Sequence, residues 1–269
     1  MPYAILLFLQ VTITFTTDWG DDMYAGMAQG AVLRALPEAH VVVLSHHVTP
    51  YQIVEAAYVL RESYRHFPPG TVHVLSVNCE GGRRTPPVAL RFDGHFFVGA
   101  DNGFASLLTD TPPDEMVRIE KYSADANPSF VALSVLVPAA VDLAQGAALS
   151  DLGTPCELQV TTHRLLPSLT SSAMRGRIVY IDSYRNVVTN ITREDFTRLQ
   201  RGRKFEIWMG SSHYRINRIS QRYADVPEGE LVALFNTSGY LEVAMNKGFV
   251  ADMLSLTLQS DVLVKFFDN

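Results

Sequence analysis

The most suggestive side chains for ligand chemistry lie where the first predicted strand ends. The segment Thr16-Thr17-Asp18-Trp19-Gly20 follows a β-branched run and places a carboxylate at the edge where open α/β sheets hold their ligands. A carboxylate at that edge commonly binds the hydroxyls of a ribose. Asp18 also suits the cap of a helix predicted to begin near Met23, because Asp is a favoured capping residue. The segment alone leaves both roles open.

A second candidate loop, residues 78–87, follows the predicted strand 72–77 and reaches the same edge. It carries Arg83 and Arg84 beside Asn78 and Glu80. A solvated basic turn and a site for an anion or a carboxylate account for the two arginines equally well.

Two polar turns in the second half are further candidates. The turn 182–186 presents Asp182 and Asn186 between two apolar runs. A hairpin turn of this composition needs no function, but an Asp and an Asn together could hold the ammonium and the carboxylate of an amino acid. The turn 236–239 is suited to offering backbone amides to a flat heterocycle.

The sequence disfavours several classes of ligand. The net charge of −6 argues against binding to nucleic acid or to an anionic membrane, which requires clustered Lys and Arg. Neither G-x-G-x-x-G after a strand nor G-x-x-x-x-G-K-[ST] occurs, so neither a dinucleotide fold nor a P-loop is indicated. Cys79, Cys156 and the histidines show no metal-ligand spacing. We therefore expect a small-molecule partner, no metal site, and a reduced, cytosolic chain.

The elements that position these loops fall into two groups. Strand and helix patterns alternate in the first half, which is typical of a mostly parallel sheet covered by helices. From about residue 155 onwards, short alternating segments between turns predict a smaller, antiparallel β-rich domain. The sequence thus predicts an α/β domain over residues 1–152, a linker over 153–172 and a β-rich domain over 173–269.

The first fifteen residues are apolar, but they carry no basic n-region and no small-residue cleavage site. The run is also shorter than the roughly 20 residues that a spanning helix needs. We expect a first strand with a short extension. Whether residues 1–10 belong to the native chain stays open, because an upstream start codon would also explain them.

Six ordered motifs together resemble the S-adenosylmethionine hydroxide adenosyltransferase family, which also contains fluorinases and chlorinases. The resemblance spans nearly the entire chain. The motifs are residues 16–20 with Tyr24, His46-x-Val48-Thr49-Pro50, residues 67–73, residues 99–103, the hairpin 181–191 and residues 238–241.

The resemblance implies an enzyme in which a nucleophile attacks the ribose C5′ of S-adenosylmethionine (SAM) and expels methionine. Water as the nucleophile yields adenosine, and halide yields a 5′-halo nucleoside. SAM is then the substrate, and no cofactor is implied. The resemblance also implies a homotrimer whose active sites lie between one subunit's first domain and a neighbour's second.

The resemblance also implies roles for individual residues. Asp18 would bind the ribose diol, with Tyr51 flanking the sugar or the base, and Asp182 with Asn186 would hold the methionine amino acid. The remaining residues assigned to substrate binding are Tyr223, Thr237 and Ser238 for the adenine, together with Trp19 and Asn102.

The catalytic positions differ from those of the hydrolytic branch. Where that branch has V-D-P-G-V-G-x-x-R-R, residues 77–84 read V-N-C-E-G-G-R-R, and where it has F-H-G-R-D, residues 130–134 read F-V-A-L-S. Asn78 therefore replaces the family Asp, and the family His is missing. The candidate catalytic residues are Asn78, Arg83 and Arg84, and Glu80 is an alternative source of the missing carboxylate.

Three hypotheses follow from these departures. The first is an adenosine-forming SAM hydrolase, because a sulfonium is a good leaving group and alignment of the reactants contributes strongly. The second is a SAM- or adenosine-binding protein with impaired catalysis, since lost general-base assistance typically forfeits a factor of roughly 10² to 10⁴. The third is a SAM-dependent halogenase.

Overall fold

The computed structural model describes residues 11–80, 84–123, 129–162 and 166–268. The chain forms two compact units, residues 1–164 and residues 165–269. The domain boundaries given above stay a prediction. Two short strands, Gly153–Pro155 and Ser168–Leu169, lie inside the range predicted as a linker.

A seven-stranded sheet organises the first unit. In chain order its strands are β1 (Thr12–Thr17), β2 (His40–Ser45), β3 (Val72–Ser76), β4 (Pro87–Phe92), β5 (His95–Ala100), β6 (Glu115–Ile119) and β7 (Gly153–Pro155). Their spatial order is β2-β1-β3-β5-β4-β6-β7. The three pairings from β2 to β5 are parallel, and those from β5 to β7 are antiparallel. The carboxyl ends of β1, β2 and β3 therefore share one edge.

Helices cover both faces of this sheet. Ile13 and Phe15 of β1 pack into the same core as Ala28 and Val32, whereas Thr14 faces the opposite side, because successive strand residues alternate. A π-helical turn, Ala132–Leu136, runs directly into α4. The helices of this unit are α1 (Met23–Ala35), α2 (Ile53–Tyr64), α3 (Phe104–Leu108) and α4 (Val137–Ala144).

The second unit is built on an antiparallel sheet. Its strands are β8 (Ser168–Leu169), β9 (Ala173–Ile181), β10 (Val187–Thr192), β11 (Lys204–Met209), β12 (Ser211–Ile216), β13 (Leu231–Phe235), β14 (Tyr240–Met245) and β15 (Asp261–Phe267). The main path is β12-β11-β15-β9-β10-β14-β13, and β8 pairs with β9. The α-helices in the described part of this unit are α5 (Arg193–Gln200) and α6 (Val250–Met253).

The structure agrees in part with the predicted fold class, since it has one sheet that contains parallel strands and one antiparallel sheet. The parallel arrangement predicted for the first sheet holds for β2, β1, β3 and β5 only. The sequence did not predict the strands β6, β7 and β8 or the helices α3, α5 and α6. Thr192 caps α5 by accepting a hydrogen bond from the Asp195 backbone N–H (3.1 Å), which satisfies one of the free amides of the first turn. Among the described residues, no helix is long and apolar enough to cross a membrane.

Two buried histidines lie side by side beneath α2. His73 Nδ1 is hydrogen bonded to Thr14 Oγ1 (2.7 Å), and His73 Nε2 to His95 Nδ1 (3.3 Å). Burial and the neighbouring His95 lower the pKa of His73 to about 3. Burial also lowers the pKa of His95, although Asp93 partly offsets this effect. Both rings are therefore neutral in the folded protein near neutral pH.

These histidines predict that the protein loses stability in mild acid. The unfolded chain binds a proton at a histidine below about pH 6.5, whereas folded His73 does not until about pH 3. The contribution of His73 is therefore fully present above pH 6.5 and falls as pH drops towards 3, and roughly 2 kcal/mol of it is lost by pH 5. Urea unfolding between pH 7.5 and 5 should show a shallower pH dependence for His73→Gln than for the wild type. The same change at exposed His66 is the control, and equal slopes for His73→Gln and the wild type would contradict the prediction.

Candidate active site

A cleft of about 550 Å³ opens at the edge where β1 and β3 end. Its walls come from the loops after these strands and from the start of the π-helical turn. All of them belong to the first unit. The lining residues are Asp18, Trp19, Tyr24, Tyr51, Ser76, Asn78, Cys79, Glu80, Ser129, Phe130, Val131 and Ala132.

Asp18 lies on this cleft and does not cap a helix. The N-cap of α1 is Asp22, and its side chain makes no capping bond. Asp18 Oδ2 instead accepts the backbone N–H of Tyr51 (3.0 Å), and Tyr51 has a left-handed backbone, with φ of 67°. This bond joins the loops after β1 and β2, while the remaining lone pairs of the carboxylate are available to a ligand.

Aromatic side chains form one wall of the cleft. The Trp19 ring stacks on His46, with centroids 5.8 Å apart and planes at 20°. Phe130 meets Trp19 edge-on at 5.1 Å and Tyr24 at 5.0 Å. Such a wall suits the apolar faces of a sugar or a heterocycle.

His46 supports the aromatic wall from behind, a role that the sequence did not suggest. Gln29 Nε2 donates to His46 Nε2 (3.1 Å), which places the ring proton on Nδ1, where it is donated to Thr17 Oγ1 (2.7 Å). Burial, with a smaller effect of His47, lowers the pKa of His46 although Asp21 opposes the shift. The neutral imidazole thus fixes Trp19 without bringing a charge to the cleft.

Asn102 holds the loop after β3 in place. Its Nδ2 donates to the carbonyl oxygens of Val77 (3.0 Å) and Asn78 (3.2 Å), and its side chain is buried. Asn78 has a left-handed backbone, with φ of 49°, so the chain turns sharply at this point. Asn102 is not among the residues that line the cleft, and its predicted role in substrate binding stays a prediction.

The other charged or nucleophilic residues of this loop differ in exposure. Burial and the charge of Asp18 raise the pKa of the Cys79 thiol to about 12, so the thiol is protonated at neutral pH. Glu80 is exposed and lines the cleft. Arg84 is exposed and does not line it, while Arg83 lies outside the described residues.

Two apolar side chains line the cleft in the segment that the resemblance compares with F-H-G-R-D. Val131 and Ala132 are 3% and 2% exposed, and both line the cleft at the start of the π-helical turn. No described residue of the cleft carries an imidazole. The aromatic wall and these two side chains therefore make this end of the cleft largely apolar.

The second unit contains a separate polar turn at the end of β9. Asn186 donates from its backbone N–H to Asp182 Oδ1 (2.8 Å) and from Nδ2 to Asp182 Oδ2 (3.0 Å). The predicted pair therefore forms, but the two side chains bind each other. The remaining lone pairs of the Asp182 carboxylate are suited to an ammonium group.

Glu242 is a buried carboxylate that the sequence analysis missed. Tyr223 Oη donates to Glu242 Oε1 (2.6 Å). Burial raises the pKa of Glu242, and so does the charge of Asp182. Burial, Glu242 and Asp182 also raise the pKa of Tyr223. The predicted residues Asp182 and Tyr223 thus belong to one electrostatic cluster. The signal for Glu242 was a lone charge inside the apolar strand β14.

In the turn that contains Thr237 and Ser238, Asn236 binds three backbone amides. Asn236 Oδ1 accepts the backbone N–H groups of Ser238 and Tyr240 (both 3.1 Å), and the Asn236 carbonyl accepts that of Gly239 (3.0 Å). The turn therefore does not offer these amides to a heterocycle, contrary to our interpretation of the sequence. The side chains of Thr237 and Ser238 are exposed, and their role stays a prediction.

Comparison with known proteins identifies the family. Residues 13–153 match the SAM hydroxide adenosyltransferase N-terminal domain, and residues 176–263 match the C-terminal domain. The chain belongs to the SAM hydroxide adenosyltransferase family. Members of this family that resemble it include the (R)-S-adenosyl-L-methionine hydrolase of Thermus thermophilus, which is 30% identical over 91% of this chain and 95% of its own length.

More distant similarities agree with this assignment. The (R)-S-adenosyl-L-methionine hydrolase of Salinispora tropica is 27% identical over 91% of this chain and 94% of the relative. A fluorinase of an Actinoplanes species is 25% identical over 87% and 90%. The crystal structure of an uncharacterized conserved protein from Thermotoga maritima matches with a TM-score of 0.82 and 25% identity, covering 94% of this chain and 99% of that one.

Because the side-chain amide of Asn102 is buried, its replacement by the nearly isosteric Asp should lower the stability of the protein. In Asn102→Asp, a carboxylate replaces the amide that donates to two carbonyl oxygens, so the variant should lose about 1–3 kcal/mol of unfolding free energy at pH 8. Denaturant titration measures the change. The same substitution at Asn217, which is exposed, is the matched control. Equal stability of the two variants would show that Asn102 does not hold the loop.

Proposed function

We propose that this protein hydrolyses SAM to adenosine and L-methionine through attack of water on the ribose C5′. The observation that carries the proposal is the Asp18 carboxylate, which lies at the carboxyl end of β1 on a cleft with an aromatic wall. Membership of the SAM hydroxide adenosyltransferase family and similarity to named SAM hydrolases support it.

The described contacts are compatible with the proposed binding roles. Asp18 uses Oδ2 to accept the Tyr51 N–H and retains acceptor capacity for both ribose hydroxyls. Trp19 and Tyr51 would flank the sugar or the base. In the second unit, Asp182 would hold the methionine ammonium with the help of Asn186. Tyr223, Thr237 and Ser238 would contact the adenine.

Hydrolysis of SAM requires little catalytic assistance from the protein at the leaving group. The sulfonium leaves as the neutral thioether of methionine, so no acid is needed to assist departure. Alignment of water, C5′ and sulfur would provide much of the acceleration. The apolar side chains of Val131 and Ala132 would limit competing solvent near the reacting centre. SAM is the substrate, and the proposal requires neither a metal nor a cofactor.

The family resemblance also implies the oligomeric state of the protein and its location in the cell. We propose that the chain works as a homotrimer in the cytoplasm. We also retain the division into a SAM-binding α/β domain (1–152), a linker (153–172) and a β-rich domain (173–269).

Binding without turnover is the second candidate function. It is favoured by Asn78, which cannot accept a proton as the family Asp does, and by Val131 at the position of the family His. Halogenation ranks third, because Ala132 supplies no hydroxyl donor to a halide.

Hydrolysis predicts equimolar adenosine and methionine from SAM. The purified protein should be incubated with SAM, with and without chloride, and the products quantified by chromatography against a boiled control. Formation of 5′-chloroadenosine would instead support the halogenase. Measurable SAM binding without any product would support the binding protein and rule out the hydrolase.

The position of Asp18 predicts that its charge is needed for nucleoside binding. Asp18→Asn should weaken adenosine binding by about 1–3 kcal/mol, the scale of a lost hydrogen bond to a charged group. Isothermal titration calorimetry measures the change. The control is Asp21→Asn, because Asp21 is an exposed carboxylate whose partner is His47 (3.2 Å). An unchanged affinity of the Asp18 variant would refute the ribose assignment.

A further inference from the structure

The ionisable side chains of the cleft differ in whether they can take a proton from water. Among the described residues that line it, five are ionisable: Asp18, Tyr24, Tyr51, Cys79 and Glu80. Two of the five, Tyr24 and Tyr51, are phenols, and carboxylates serve as general bases more often than phenols do.

Cys79 and Asp18 are unsuited to act as the base for other reasons. The Cys79 thiol is held in its protonated form, because burial and the charge of Asp18 raise its pKa to about 12. Asp18 already accepts the Tyr51 N–H, and under the proposed function it also binds the ribose hydroxyls. Asn78 is a neutral amide and accepts no proton near pH 7. Among the described residues that line the cleft, Glu80 is then the best candidate.

Glu80 combines the chemistry and the placement of a general base. It is an exposed carboxylate on the rim of the cleft, and no described residue forms a hydrogen bond or an ion pair with it. It lies two residues after Asn78, whose carbonyl is fixed by Asn102 (3.2 Å) and whose backbone is left-handed. The sharp turn at Asn78 thus carries Glu80 back to the cleft.

We propose that Glu80 is the general base of the hydrolysis and supplies the carboxylate that Asn78 lacks. The inference rests on the proposed function. The water oxygen forms a bond to C5′, and the C5′–S bond breaks with its electron pair passing to sulfur, which leaves as neutral methionine. One water proton moves to the Glu80 carboxylate and is later released to solvent. The SAM sulfonium cation and water thus give adenosine and methionine, which are both neutral, and a proton.

An anionic nucleophile distinguishes a general base from a residue that only positions the substrate. Azide carries no proton to remove, so its attack on C5′ needs no base. Glu80→Gln should lower kcat for adenosine formation by roughly 100-fold, within the usual range for a general base, and leave KM nearly unchanged. Formation of 5′-azido-5′-deoxyadenosine should proceed at the wild-type rate. Glu80→Asp should recover part of the hydrolysis, and Glu38→Gln, at an exposed site away from the cleft, is the matched control.

The outcomes distinguish this inference from the function on which it rests. Hydrolysis by Glu80→Gln at the wild-type rate would overturn the role of Glu80 and leave the hydrolase intact. An equal fall with water and azide would also overturn it, because the side chain would then act on substrate placement. A wild-type protein that forms neither product would overturn both proposals.

Discussion

The parallel pairing of β1 with β2 and β3 is the constraint on which the rest of the site depends. Parallel strands end at the same edge, and the register places Thr16 opposite Ser45 and Thr17 opposite Ser76. Three loops that are far apart in sequence therefore start side by side. The loop after β1 brings Asp18 and Trp19, that after β2 brings Tyr51, and that after β3 brings Asn78 and Glu80.

Residues in the loops at the edge of a sheet do not form the hydrogen bonds that join neighbouring strands. Other groups must therefore bond to their backbone N–H and C=O groups. Several side chains of the first unit do this near the cleft. Asp18 accepts the Tyr51 N–H, Glu55 accepts the Thr49 N–H (3.0 Å), and Asn102 donates to Val77 and Asn78. Each bond fixes a loop at its turning point. The site thus combines fixed backbones with side chains whose functional atoms remain available to a ligand.

The sequence predicted most of the strands and the positions of the loops, because both depend on local patterns. It did not predict β6, in which Glu115 and Arg118 interrupt the apolar alternation, or α5, which is short and highly charged. The support of Trp19 by His46 was also missed, since it depends on contacts with Thr17 and Gln29, which are distant in sequence. The amides of the turn at Asn236 were misjudged because the side chain of Asn236 binds those of Ser238 and Tyr240, and its carbonyl binds that of Gly239.

Trp19 has a consequence beyond binding. The chain has two tryptophans. Trp208 lies in β11 of the second unit, with the Lys265 ammonium 3.6 Å from the centre of its ring. Trp19 is the indole in the cleft wall, stacked on an imidazole. The fluorescence of Trp19 therefore reports on the cleft, and that of Trp208 in the second unit serves as an internal reference.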